Sequence, residues 1–154
     1  MDSISKELLL KLPKVELHCH LDGSLRVSSI LDQAKIDSIK LPLKNYDDLT
    51  AYFKIGENRC SLEDYIKRFD ITLCVMQTPK ALSRFAYELI EDVSKENVRY
   101  IEVRYSPILH TKKGMALEEA LESVRKGLKR GEKDFGVKSG IIVCGIRHLS
   151  LIHI

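Results

Sequence analysis

Residues 13–24 read Pro13-Lys14-Val15-Glu16-Leu17-His18-Cys19-His20-Leu21-Asp22-Gly23-Ser24. Two histidines and an aspartate crowd into five positions of an otherwise apolar segment. Such residues are poor strand formers, and burying them costs free energy unless something binds them. Residues 15–21 alternate as a β-strand does. Val15, Leu17 and Cys19 are expected on one face, and Glu16, His18 and His20 on the other. On one strand face His18 and His20 have Cβ atoms roughly 6–7 Å apart, so both imidazoles can converge on one ion at Zn–N distances of about 2.0–2.1 Å. Adjacent histidines, or histidines three apart, would splay to opposite faces. Neutral imidazole suits zinc, and a catalytic zinc also needs a third ligand and an open position for water. His-X-His by itself is a weak signal, and an accidental pair is the commoner case. Here the strand character of the segment, Glu16 on the same face and the Asp22-Gly23 exit into a loop strengthen it.

Working outward, Ser24 is a candidate N-cap for a helix over about Leu25–Ala34. Pro42 and Gly56 punctuate a less regular stretch, with a short helix expected near Tyr46–Phe53. Ser61-Leu62-Glu63-Asp64 opens another helix as a near capping box, carrying Tyr65, Ile66, Phe69 and Leu73. Thr78-Pro79 starts a longer one. Its apolar residues Leu82, Phe85, Ala86, Leu89, Ile90 and Val93 form an amphipathic stripe. Tyr100–Tyr105 reads as a strand with Ile101, Val103 and Tyr105 on one face, and Pro107 ends it. Met115–Phe135 is expected to be helical, with Leu117, Leu121, Val124 and Leu128 along one side. Ile141–Ile146 has the all-apolar pattern of a parallel strand covered on both faces. Strands alternating with helices imply βαβ units, a parallel sheet and an α/β fold.

The bulk numbers narrow the function classes. The chain has 154 residues, 44% hydrophobic and 31% charged, enough for one soluble domain with a core. Its net charge is +3, from 25 basic against 22 acidic residues that are interspersed, so no basic stripe for nucleic acid stands out. Cys19, Cys60, Cys74 and Cys144 form no CxxC pair and sit among apolar neighbours, as reduced thiols do. Leu8–Leu12 is too short for a signal peptide or a membrane span. A cytoplasmic protein without membrane or nucleic-acid partners is expected.

Pro13–Ser24 resembles the first-strand signature of the adenosine deaminase family, within the amidohydrolase superfamily of metal-dependent (β/α)8 barrels. Val98–Pro107 is similar to that family's second-strand segment. Tyr65–Asp70 is similar to the helix that lids its active site, and Ile141–His148 to its third strand. The likeness runs from about residue 12 to Ser150, in the family's order. It implies an incomplete TIM barrel: residues 1–150 as the N-terminal portion of one barrel domain. Residues 151–154 depart from the pattern, and Leu149–Ile154 looks like translated sequencing-adapter DNA, so 151–154 are expected to be a non-native tail.

The resemblance implies roles for individual residues. His18 and His20 are implied ligands of one Zn2+ per full-length subunit. Asp22 would accept a hydrogen bond from the ribose 5′-hydroxyl, and Gly23 would permit the tight turn after it. Tyr65 and Phe69 would form the apolar mouth over a small nucleoside substrate, with ordinary helix packing as the alternative for both. Glu102, Arg104 and Ser106 would lie near the barrel rim, where Glu102 and Arg104 are expected to pair. His110, His148 and His153 are expected at the surface or in loops. The implied reaction is zinc-dependent hydrolytic deamination of adenosine and 2′-deoxyadenosine, releasing ammonia. No catalytic acid is found within the 154 residues; it is expected on later strands, so this chain alone should be inactive. Asp22 would repel a 5′-phosphate at short range. Relatives acting on N6-methyl-AMP carry asparagine there, and those acting on adenine glutamate, so Asp22 favours the nucleoside. A deaminase of adenine or N6-methyl-AMP, and a catalytically dead barrel homologue, are the rival readings. The oligomeric state is left open.

Overall fold

The computed structural model describes residues 5–54 and 61–146, with only the backbone of Leu62 and Asp64. Expectations for Gly56, Cys60, His148, His153 and the tail 151–154 lie outside the described residues.

Helix α1 (Lys6–Lys11), capped by Ser5, leads into β1 (Lys14–His20). A 3-10 turn over Leu21–Gly23 follows, then α2 (Val27–Ile36), α3 (Tyr46–Phe53), α4 (Leu62–Val75) and α5 (Pro79–Lys95). Strand β2 (Val98–Tyr105), a second 3-10 turn (Pro107–His110), α6 (Leu117–Phe135) and β3 (Lys138–Val143) complete the order. The three strands form one sheet in the order β1-β2-β3, with both pairs parallel. Strands in sequence order joined by helices are the βαβ arrangement that the alternating pattern implied.

Local chemistry explains most of the boundaries. Thr78 accepts a hydrogen bond from the Ala81 amide, and Pro79 occupies the first turn of α5. Asn45 does the same for Asp48 at the start of α3, which has the expected bounds. Ser24 does not cap α2. Its hydroxyl instead donates to the His20 carbonyl at 2.6 Å, and the helix starts two residues later than expected, at Val27 behind Arg26. Arg26 ties α2 to α5 by donating to Asp92 and Glu91 at 2.6–2.8 Å.

The core lies between β2 and the helices. Ile101, Val103 and Tyr105 are buried on one face of β2, with Leu82, Phe85, Ala86, Leu89 and Ile90 of α5 against them in the same cluster. Helix α6 differs from expectation. Its buried stripe is Ala120, Ser123, Val124, Gly127, Leu128 and Gly131, while Leu117 and Leu121 are exposed at 41% and 36%. The reason is close packing on α5. A Cβ on Gly127 would fall inside the van der Waals shell of the Ser83 carbonyl oxygen, and one on Gly131 would lie 2.7 Å from Ile90 Cβ. Only glycine permits so short an approach, and glycine gives no apolar signal to a periodicity count.

Strand β3 also differs. It begins at Lys138 rather than Ile141, and its residues are half-buried or exposed rather than covered on both faces. Gly136, at φ +72°, ends α6 in the left-handed conformation. The chain then enters the ladder at once, Lys138 pairing with Tyr100 and Ser139 with Ile101. Glu132 secures this entry by accepting from the Ser139 amide and hydroxyl, both at 2.7 Å.

His110 is not at the surface: it is 0% exposed. Its Nδ1 donates to the Met76 carbonyl at 3.0 Å, and its Nε2 has no hydrogen-bond partner. Burial pulls its pKa down to about 4, so the native ring is neutral, while the unfolded ring titrates near 6.5. Above pH 6.5 neither state is protonated and the ring adds no pH dependence. As pH falls from 6.5 to about 4 the unfolded chain takes up the proton first, so stability falls with it. The expected total loss is about 3 kcal/mol, at 1.36 kcal/mol per unit. Urea denaturation across this range checks it: His110→Gln, which keeps an amide donor, should flatten the profile.

Candidate functional site

The site is built at the C-terminal end of β1. The ladder pairs Val15 with Tyr100 and Glu16 with Ile101, then resumes with Cys19 opposite Val103 and His20 opposite Arg104. Between those pairs β1 carries one more residue than β2, a bulge at Leu17–His18. Ladder partners project to one face. By register Glu16 therefore stands with Ile101 and Cys19 with Val103, and His20 with Arg104 on the opposite face. The expected grouping of Glu16 with the histidines is corrected: the extra residue resets the alternation. Glu16 nevertheless serves the bulge, its Oε1 accepting from the backbone amide of His18 at 2.8 Å. Cys19 lies against the core, 3.3 Å from the Ser24 hydroxyl, and burial pushes its thiol pKa up.

The two imidazoles do converge. Their ring centroids are 5.3 Å apart at an interplanar angle of 35°, and the two Nε2 atoms approach to 3.3 Å. Two nitrogens each about 2.0–2.1 Å from one tetrahedral ion lie about 3.3–3.4 Å apart. The pair therefore fits one ion bound through both Nε2 atoms. Both rings are exposed rather than buried, which differs from the premise that they pay a burial cost. Among the described residues, no cluster of three or more His, Cys, Asp or Glu side chains is placed to hold a metal.

The 3-10 turn carries Asp22 directly behind the pair. Asp22 is 8% exposed, and its Oδ1 is buried with no hydrogen-bond partner. That oxygen lies 3.9 Å from His20 Nδ1, too far for a hydrogen bond but close enough for attraction. Burial raises the carboxyl pKa, opposed by His20 and by backbone amides of the turn. A buried charge without a full set of partners is costly. Asp22→Asn is accordingly expected to raise the unfolding free energy of this chain by about 1 kcal/mol at pH 7, read by thermal or urea denaturation. Gly23 needs no left-handed conformation, since the positive-φ glycines among the described residues are Gly114 and Gly136. A Cβ there would make ordinary contact with Phe69 at 3.5 Å. The tight-turn role expected for Gly23 is therefore not the reason for it.

Helix α4 supplies the opposite wall. Tyr65 and Phe69 meet edge to face, centroids 5.5 Å apart at 81°. Together with His18, His20, Gly23 and Ser24 they line an open cleft of about 420 Å³. The same two rings and Gly23 also wall a smaller chamber of about 160 Å³, which Asp22 lines from one side. Leu25, Val27, Ile30, Phe53, Arg68 and Thr72 complete that chamber, and none of them is among the site residues expected from the sequence. Positions 65, 68, 69 and 72 are spaced as one helix face, a signal that could have added Arg68 and Thr72. Glu102 and Arg104 do not form the expected pair. Glu102 accepts from the Tyr100 hydroxyl at 3.2 Å, and Arg104 donates to the Leu17 carbonyl at 3.4 Å. Ser106 is buried with its hydroxyl unpartnered.

A parallel sheet in sequence order, with two convergent imidazoles leaving the end of its first strand, is the arrangement with which a (β/α)8 barrel of the amidohydrolase type begins. Comparison with known proteins narrows this class. The sequence model of the family described as adenosine deaminase matches residues 13–153, and the chain belongs to that family. It is 50% identical over 141 residues to an adenosine deaminase of Clostridium botulinum, covering 92% of this chain and 43% of that protein. An adenosine deaminase of Clostridium perfringens is 48% identical over 143 residues, 93% of this chain and 43% of its own length. The chain thus spans less than half the length of the curated relatives it matches. Among solved structures, an amidohydrolase of Burkholderia ambifaria with bound Zn superposes with a TM-score of 0.75 at 25% identity, over 92% of this chain and 39% of the other. An adenine deaminase of Arthrobacter aurescens gives 0.74 at 27% identity, over 84% and 38%. An N6-mAMP deaminase of Arabidopsis gives 0.69 at 29%, over 89% and 42%. No helix among the described residues is long and apolar enough to cross a membrane.

Proposed function

We propose that this chain is the N-terminal portion, residues 1–150, of a zinc-dependent cytoplasmic adenosine deaminase acting in purine salvage. The substrates would be adenosine and 2′-deoxyadenosine. The observation that carries this reading is the 3.3 Å approach of the two Nε2 atoms above a cleft walled by Tyr65 and Phe69. The adenosine deaminase relatives at about half identity support it.

His18 and His20 would hold the ion through Nε2, which would leave the proton of each neutral ring on Nδ1. The Nδ1 proton of His20 then faces the negative charge of Asp22, an arrangement that favours this tautomer. When bound, zinc supplies the Lewis acidity that makes water a nucleophile near neutral pH. Asp22 accepts the ribose 5′-hydroxyl, and its charge turns away a 5′-phosphate. Tyr65 and Phe69 exclude water from one face of the purine and offer it stacking surface. The proton for the ring nitrogen, and the remaining metal ligands, would come from parts of the complete enzyme other than this chain.

A deaminase of free adenine or of N6-methyl-AMP is the second reading, favoured by the likeness to solved enzymes with those names. Ammonia release from adenosine, 2′-deoxyadenosine, adenine and N6-methyl-AMP by the complete enzyme separates the two. Adenosine is expected to be preferred by at least about 10²-fold in kcat/KM. Preference for the nucleotide or the base would replace the nucleoside reading, and silence on all four would favour a dead homologue. In the same assay Asp22→Asn is expected to lower kcat/KM for adenosine by about 10-fold or more, as a hydrogen bond to a charged acceptor is lost.

A further inference from the structure

The cleft at the histidine pair and the chamber behind it share Gly23, Tyr65 and Phe69 as walls, and Asp22 lines only the chamber. A ligand that reaches from the histidines to Asp22 therefore ends at the chamber mouth. The chamber is mainly apolar, with Leu25, Val27, Ile30, Phe53 and Phe69 around its polar groups. Its volume of about 160 Å³ is many times what one water needs, about 10–15 Å³ on the same kind of measure. Asp22, Tyr65, Arg68 and Thr72 supply those polar groups, and the apolar part of the wall offers surface on which an alkyl group is desolvated.

The inference rests on the reading that Asp22 receives the 5′-hydroxyl. With the hydroxyl held there, the carbon that bears it stands at the mouth shared by cleft and chamber. A plain nucleoside ends in a hydroxymethyl group and leaves the chamber unfilled. We propose that the chamber is a specificity subsite for a short alkyl branch on the ribose C5′, the hydroxyl being retained. The favoured substrate class is then 5′-C-alkylated adenine nucleosides. The hydroxyl satisfies Asp22, and the alkyl group is desolvated against Val27, Leu25 and Phe53.

The test is steady-state deamination of adenosine and of the two 5′-C-methyladenosine diastereomers by the complete enzyme. One diastereomer is expected to be used with a kcat/KM within tenfold of that for adenosine, or better. Val27→Phe fills the chamber from α2, and its half-buried position favours folding; Leu25→Phe does so from the preceding loop. Either variant is expected to lower the ratio of alkylated to plain kcat/KM at least tenfold, and if one fails to fold the other carries the test. Wild-type discrimination of more than tenfold against both diastereomers overturns the proposal, as does a ratio that falls less than tenfold in every folded variant. If adenosine itself is not deaminated, the functional reading falls first and the subsite falls with it.

Discussion

Replacing either His18 or His20 by alanine in the complete enzyme is expected to lower kcat/KM for adenosine by about 10³-fold or more. Bound zinc should fall well below one ion per subunit in the same samples. The effect is large because the two rings act as a unit. Their Nε2 atoms stand 3.3 Å apart, which suits one shared ion, and loss of one ring halves what this chain offers it. The two substitutions are expected not to be additive, since each removes the same bound ion. Elemental analysis beside steady-state kinetics on both single variants and the double variant checks this. Both rings are exposed, so unfolding of the fold is not expected to account for the loss.

The second large effect is structural. Gly127→Ala is expected to destabilise the chain by about 3 kcal/mol or more, or to prevent folding. The added Cβ would overlap the Ser83 carbonyl and approach Ala86 Cβ to 2.8 Å. Backbone cannot swing aside as a long side chain can, so α5 and α6 would have to separate along the stripe that buries Leu82, Phe85, Val124 and Leu128. Alanine is ordinarily the better helix residue by about 1 kcal/mol, so destabilisation here would be a direct sign of the close crossing. Urea denaturation measures it, with Gly23→Ala as a comparison whose Cβ makes only ordinary contact, at 3.5 Å, and whose backbone has no positive φ.

What could be read in advance follows from how local each cause is. The stripe on α5, the bounds of α3 and the two faces of β2 depend on residue spacing within one element, and they appear as expected. The start of β3 does not, because Lys138 and Ser139 are drawn into the ladder by Tyr100 and Ile101, partners remote in sequence. The buried face of α6 was masked by Gly127 and Gly131, whose value lies in the side chain they lack. The burial of His110, in the 3-10 turn after β2, likewise has no local signal: its partner is the Met76 carbonyl, 34 positions away. At the site, the histidine pair, Asp22, Tyr65 and Phe69 were all legible from motif and resemblance, and the cleft or its adjoining chamber is lined by every one of them. The bulge that takes Glu16 off their face breaks a period of two without leaving a mark in composition. The chamber is assembled from the first 3-10 turn, the loop after it, α2, α3 and α4, a convergence that no local pattern records.

The account turns on two imidazoles sharing one ion through Nε2. The most direct measurement is a zinc titration of the complete, metal-free enzyme followed by the 15N resonances of its histidine rings. His18 and His20 are expected to respond together, both at Nε2, with one common saturation curve, while buried His110 stays unmoved. His20→Ala should abolish the His18 response at the same zinc concentrations. Independent curves for the two rings, binding through Nδ1, or a His18 response that survives His20→Ala would contradict a shared metal site.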